Sequence, residues 1–93
     1  MNSLLSSQLD WQKQTGLIPA IIQDANTQQV LMLGYMNAEA LAQTLESRLV
    51  TFFSRSKNRL WTKGESSGHY LNLVSIQPDC YYDSLLIMAT THG

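Results

Sequence analysis

The chain has one cysteine, two prolines and charged side chains at only 14% of its 93 positions. A single thiol, Cys80, excludes an intramolecular disulfide framework and suits a reducing compartment. No apolar run approaches the roughly 18 residues that a membrane-spanning helix requires. The longest run, Val30 to Met36, is broken by Gly34 and is the size of a strand. No basic residue precedes the first apolar positions, and no cleavage-like sequence follows them, so a secretory signal is not expected. Six basic and seven acidic residues give a net charge of −1, which excludes a globally basic nucleic-acid binder. These absences predict a soluble cytoplasmic chain with neither membrane nor nucleic acid as its partner. The length allows one domain, spanning 1–93. So low a charge content also leaves room for a partner-covered surface.

What is present is mostly strand-like. Thr15 and Gly16 close a polar opening segment in which Leu9 and Trp11 pin a short helical turn. Leu17 to Ile22 and Val30 to Leu33 flank the turn residues Asp24 to Gln28 and read as a hairpin, with Pro19 in an edge strand. Asn37 has the chemistry of a helix N-cap, and Glu39 lies in the first turn. Leu41 and Leu45 share a face of that helix, which ends near Ser47 without a capping glycine. Val50 to Phe53 pairs with Leu60 to Thr62 across a polar loop. Tyr70 to Ile76, ending before Pro78, and Ser84 to Ala89 supply the last strands. The expectation is a mainly β fold of about six strands, a small barrel or strongly bent sheet, with one packed helix. Trp11, Met32, Tyr35, Met36, Phe52, Phe53 and Met88 are expected mostly in its core.

Two constellations carry chemistry. Four of the six basic residues, Arg55, Lys57, Arg59 and Lys63, fall within nine positions. Around them stand Ser54, Ser56, Ser66, Ser67, Gly64, Gly68, Glu65 and Trp61. Positive charge, hydroxyl donors and glycines that let backbone N–H groups approach are what phosphate binding needs. An aromatic side chain beside them can stack a base. A solvated basic hairpin is the alternative, and the density of small residues favours the anion site. The patch and Trp61 also admit a small RNA- or DNA-binding domain, against which the net charge weighs. The second constellation is Asp79-Cys80-Tyr81-Tyr82-Asp83. Its carboxylates suit magnesium and its thiolate zinc. A zinc site needs three or four protein ligands, however, and the chain offers only His69 and His92 besides. Spacing alone favours an acidic turn next to a buried cysteine.

The strings Gly16-Leu17-Ile18-Pro19-Ala20 and Val30-Leu31-Met32-Leu33-Gly34-Tyr35-Met36-Asn37 resemble the opening of phosphoribosyl-AMP cyclohydrolases. So do Phe53-Ser54-Arg55-Ser56 and the specific run from Leu60-Trp61-Thr62-Lys63-Gly64-Glu65 to Ser66-Ser67-Gly68. The resemblance extends from about Leu9 to Gly93. It implies a homodimeric, cytoplasmic, mainly β hydrolase of histidine biosynthesis that uses zinc and magnesium. Its reaction is the addition of water across the N1–C6 bond of phosphoribosyl-AMP, often in a chain continued by a phosphoribosyl-ATP pyrophosphohydrolase domain. The family motif D-C-D-x-D falls on Asp79 to Asp83. Asp79 and Asp83 thereby match magnesium ligands, and Cys80 matches a zinc ligand completed from a partner subunit. Tyr81 stands where the middle aspartate belongs. The family's other zinc ligands follow the glycine matching Gly93, so the resemblance implies a C-terminally truncated, inactive cyclohydrolase portion. A non-catalytic remnant that keeps the phosphate site is the alternative.

Overall fold

The computed structural model describes residues 3–13 and 15–91; His92 and Gly93, named above, lie outside the described residues. The order of elements is α1 (Ser3–Gln8), β1 (Ile18–Asp24), β2 (Val30–Met36), α2 (Ala38–Ser47), β3 (Thr51–Ser54), β4 (Arg59–Thr62), β5 (Leu71–Pro78) and β6 (Leu85–Thr91). The fold is mainly β, as expected, with six described strands and α2 packed on them. The barrel alternative is not realised. Strands run β2-β1-β6-β5 in one sheet, and β3-β4 form a separate ribbon.

The β1–β2 hairpin pairs Ile18 with Met36 and Ile22 with Met32, so alternate apolar residues of both strands share the inner face. Ile18, Ala20, Ile22 and Met36 are buried there with Leu85, Ile87 and Ala89 of β6. Pro19 is not in an edge strand. β1 is interior, because β6 pairs parallel to it from Ala20 onward. Pro19 is tolerated because it precedes that ladder and faces only Tyr35 of β2. Pro78 ends β5, an edge strand, instead of following it. Tyr35 leaves the expected core for the outer face of the sheet and is 42% exposed, whereas Met36 is fully buried.

Leu5 and Leu9 fasten the opening segment to the core, and the Trp11 indole donates to the Ser6 carbonyl at 2.8 Å. Asn37 caps α2 as its chemistry demands, its side-chain oxygen accepting from Ala40 N–H at 2.8 Å. The helix stops without glycine because Arg48 itself takes the left-handed conformation, at φ 65°, and donates to the Thr44 carbonyl at 2.9 Å. No described helix is long and apolar enough to cross a membrane.

Two contacts seat the β3–β4 ribbon. Gly34 of β2 lies so close to the Phe52 ring that a Cβ there would fall 2.5 Å from it. At the other end, Val50 N–H donates to Leu71 O at 3.0 Å and Leu73 N–H to Arg48 O at 2.8 Å, joining the start of the ribbon to β5. Beneath it, the buried Thr44 hydroxyl accepts from Thr51 N–H at 3.0 Å and lies 2.8 Å from Ala40 O. Thr44→Val keeps the shape but orphans a buried N–H. It should cost about 1–3 kcal/mol, read as a lower urea midpoint with an unchanged slope.

Candidate functional site

The ribbon brings the basic stretch to one end of the molecule. Phe52 and Trp61 are cross-strand partners whose ring centroids lie 5.2 Å apart at 36°, and the next pair on the same face is Ser54 and Arg59. Past β4 the chain turns back tightly. Glu65 N–H donates to Thr62 O at 3.0 Å, and Gly68 N–H to Gly64 O at 2.7 Å. Gly64 has φ +95°, and a Cβ on it would sit 2.5 Å from the backbone of His69, so only glycine closes this turn.

A cleft of about 440 Å³ results. Ser54, Lys57 and Arg59 line it from the hairpin, Trp61, Thr62 and Lys63 from β4 and its end, and Gly64, Glu65, Ser66 and Ser67 from the turn. Most residues expected at an anion site are thus brought together. Two are not. Arg55 lines a different cavity with Thr15, Gly16, Leu17, Asn37 and Phe53. β3 ends at Ser54, which lines the cleft, and Arg55 begins the hairpin turn beside Phe53, with which it shares the other cavity. Ser56 is exposed on the hairpin loop, its hydroxyl 3.4 Å from that of Ser54.

Glu65 organises the cleft. Its carboxylate takes the Arg59 guanidinium at 2.7 Å on one oxygen and Thr62 N–H at 2.8 Å on the other. Lys57 and Lys63 have no ion pair among the described residues. The cleft therefore carries two ammonium groups without a direct ion pair beside serine hydroxyls, an arrangement that attracts an anion.

Against the cleft lies a second, more apolar cavity of about 570 Å³, which shares Trp61 and Lys63 with it. Leu31 and Met32 of β2 reach it, as do His69, Tyr70 and Leu71. Sequence reasoning missed these residues, because Leu31 and Met32 carry only a strand signal until the fold sets β2 against the β3–β4 ribbon.

The Asp79 to Asp83 segment is a turn between β5 and β6. Asp79 Oδ1 accepts from Asp83 N–H at 2.9 Å and Ser84 N–H at 3.1 Å. Burial opposes ionisation of Asp79, but these bonds outweigh it and hold its carboxyl below the ordinary 3.8. Asp83 pairs with Lys13 at 2.6 Å, and this hydrogen bond and charge raise the lysine above its ordinary 10.5. Asp10 N–H donates to Tyr82 O at 2.7 Å, so the turn also holds the opening segment. Cys80 is exposed rather than buried, and Tyr81 is 77% exposed. Among the described residues, no three His, Cys, Asp or Glu side chains gather as metal ligands. Asp79 Oδ1 is engaged by two backbone N–H groups and Asp83 Oδ2 by Lys13, with the exposed Cys80 thiol between the two carboxylates in sequence.

Glu65 makes the cleft sensitive to acid. Its carboxyl is held below the ordinary 4.5, first by the Arg59 hydrogen bond and then by Thr62 N–H. A depressed carboxyl stabilises the fold above its unfolded value, and that contribution is lost as pH falls through the folded one. The Thr62 amide resonance should shift as pH drops below 4.5, and Glu65→Gln should abolish the titration, as followed by NMR.

Comparison with known proteins bears on the family of the chain. The family model "Phosphoribosyl-AMP cyclohydrolase" matches residues 32–93. The chain is 63% identical over 86 residues to the histidine biosynthesis bifunctional proteins HisIE of Salmonella typhimurium and of Escherichia coli. It is 64% identical over 85 residues to that of Xylella fastidiosa. The first two alignments cover 92% of this chain and 42% of each relative; the third covers 91% and 41%. The chain thus spans about two fifths of the length of these relatives. On both the family match and this identity, the chain belongs to the phosphoribosyl-AMP cyclohydrolase family.

Proposed function

We propose that this chain binds phosphoribosyl-AMP and forms the substrate-holding part of a histidine-biosynthesis enzyme that opens the adenine ring by hydrolysis at N1–C6. One observation carries the reading: in a chain of this family, Lys57, Arg59 and Lys63 share a cleft with Ser54, Ser66 and Ser67. A phosphate there gains charge-assisted hydrogen bonds from both lysines. The guanidinium of Arg59 has five N–H donors, and its pairing with Glu65 leaves some of them for the ligand. Glu65 holds that guanidinium in place before the substrate arrives, which lowers the ordering cost of binding. The relatives, bifunctional proteins of histidine biosynthesis, support the pathway.

A second reading is a binding remnant without catalysis. The engaged carboxylates of the Asp79 to Asp83 turn favour it. Ring opening of phosphoribosyl-AMP by the 93-residue chain, followed by absorbance, supports the enzyme; binding without ring opening supports the remnant.

Binding itself tests the cleft. A hydrogen bond to a charged group contributes about 1.5–3 kcal/mol, and 1.4 kcal/mol is tenfold in affinity. Lys63→Ala should therefore raise the calorimetric Kd for phosphoribosyl-AMP about tenfold or more. Arg55→Ala, in the other cavity, should change it less. Equal losses in the two variants would remove the assignment of the cleft.

A further inference from the structure

Phosphate recognition leaves the second cavity unexplained. Its apolar lining is Leu31, Met32, Trp61 and Leu71, with Lys63, His69, Tyr70 and Thr91 as polar interruptions. A concave, mostly apolar chamber with few polar groups is the usual composition of a small-molecule site. The second cavity suits phosphate less than the cleft, because it offers Lys63 alone where the cleft offers two lysines and an arginine, and more of its wall is apolar. A flat heteroaromatic ring would gain there: it leaves water, lies against the Trp61 indole, and meets N–H and O–H donors at His69 and Tyr70. Trp61 and Lys63 line both chambers, so a ligand with a ring at one end and a phosphate at the other can occupy the two together. A nucleotide has that form.

We propose that the apolar cavity is the base subsite of the nucleotide whose phosphate occupies the basic cleft. Trp61 and Lys63 form the shared wall that sets the separation between base and phosphate, and Met32 limits the size of ring admitted. The inference rests on the nucleotide-binding reading above. It assigns specificity to Leu31 and Met32 of β2, outside the basic stretch.

Two probes separate the subsites. Ribose 5-phosphate carries the phosphate and sugar without a base, and AMP adds the base. Met32→Trp places an indole in the apolar cavity from β2. The Kd for AMP should rise about tenfold or more, while that for ribose 5-phosphate stays within about twofold of the unaltered chain. AMP bound as tightly by Met32→Trp as by the unaltered chain overturns the base subsite and leaves the phosphate cleft standing. Failure of both probes to bind the unaltered chain overturns the cleft and the subsite together. A measurement without any variant covers a misfolded Met32→Trp. AMP bound to the unaltered chain should give NOEs from its H2 and H8 protons to the Leu31 and Met32 methyl groups. Bound AMP without those NOEs contradicts the proposal.

Discussion

The missing side chain at Gly34 is the constraint on which the site depends. Because β2 presents no Cβ there, the Phe52 ring settles directly on its backbone and is buried to within 1%. Trp61 then rests on Phe52 at 5.2 Å, and from that position it walls both cavities. A side chain at position 34 would have to displace a packed aromatic ring, and close-packed interiors resist even a methyl group. The other fastenings of the ribbon, Thr44 to Thr51 and Val50 to Leu71, are hydrogen bonds that complete the same seating.

Two turns rich in charge have opposite fates in this fold. Between Thr62 and Gly68 one carboxylate, Glu65, restrains one of three cations and leaves two lysines facing a cleft. Between β5 and β6 the carboxylates are consumed by the protein itself. Asp79 caps its own turn, and Asp83 binds Lys13, which ties the opening segment down. The first turn leaves two lysines without an ion pair and so can receive an anion; in the second, the carboxylates hold the turn and the opening segment.

Much of this was legible from local chemistry. Asn37 as a cap, the hairpin around Asp24 to Gln28, and the pairing of Phe52 with Trp61 each follow from residues near one another in sequence. The basic stretch was legible as a cluster of charges, hydroxyls and glycines, which crowd together in sequence without needing the fold. Long-range facts were not. Pro19 gave an edge-strand signal, yet β6 arrives beside β1 from the far end of the chain. Arg55 belonged to the cluster by composition and left it because β3 ends one residue earlier and the turn carries it to another cavity. Arg48 ends α2 in a conformation that favours glycine. Leu31 and Met32 gain a role only because Gly34 admits Phe52 and brings the ribbon against β2.

The account holds that one ligand spans the cleft and the adjoining cavity across Trp61. A crystal structure of the chain with bound phosphoribosyl-AMP tests this most directly. It should show one phosphate among Ser54, Lys57, Lys63 and Ser67, with the adenine ring against Trp61 and Met32. The nucleotide found instead beside Arg55, or at the Asp79 to Asp83 turn with the cleft empty, would contradict it.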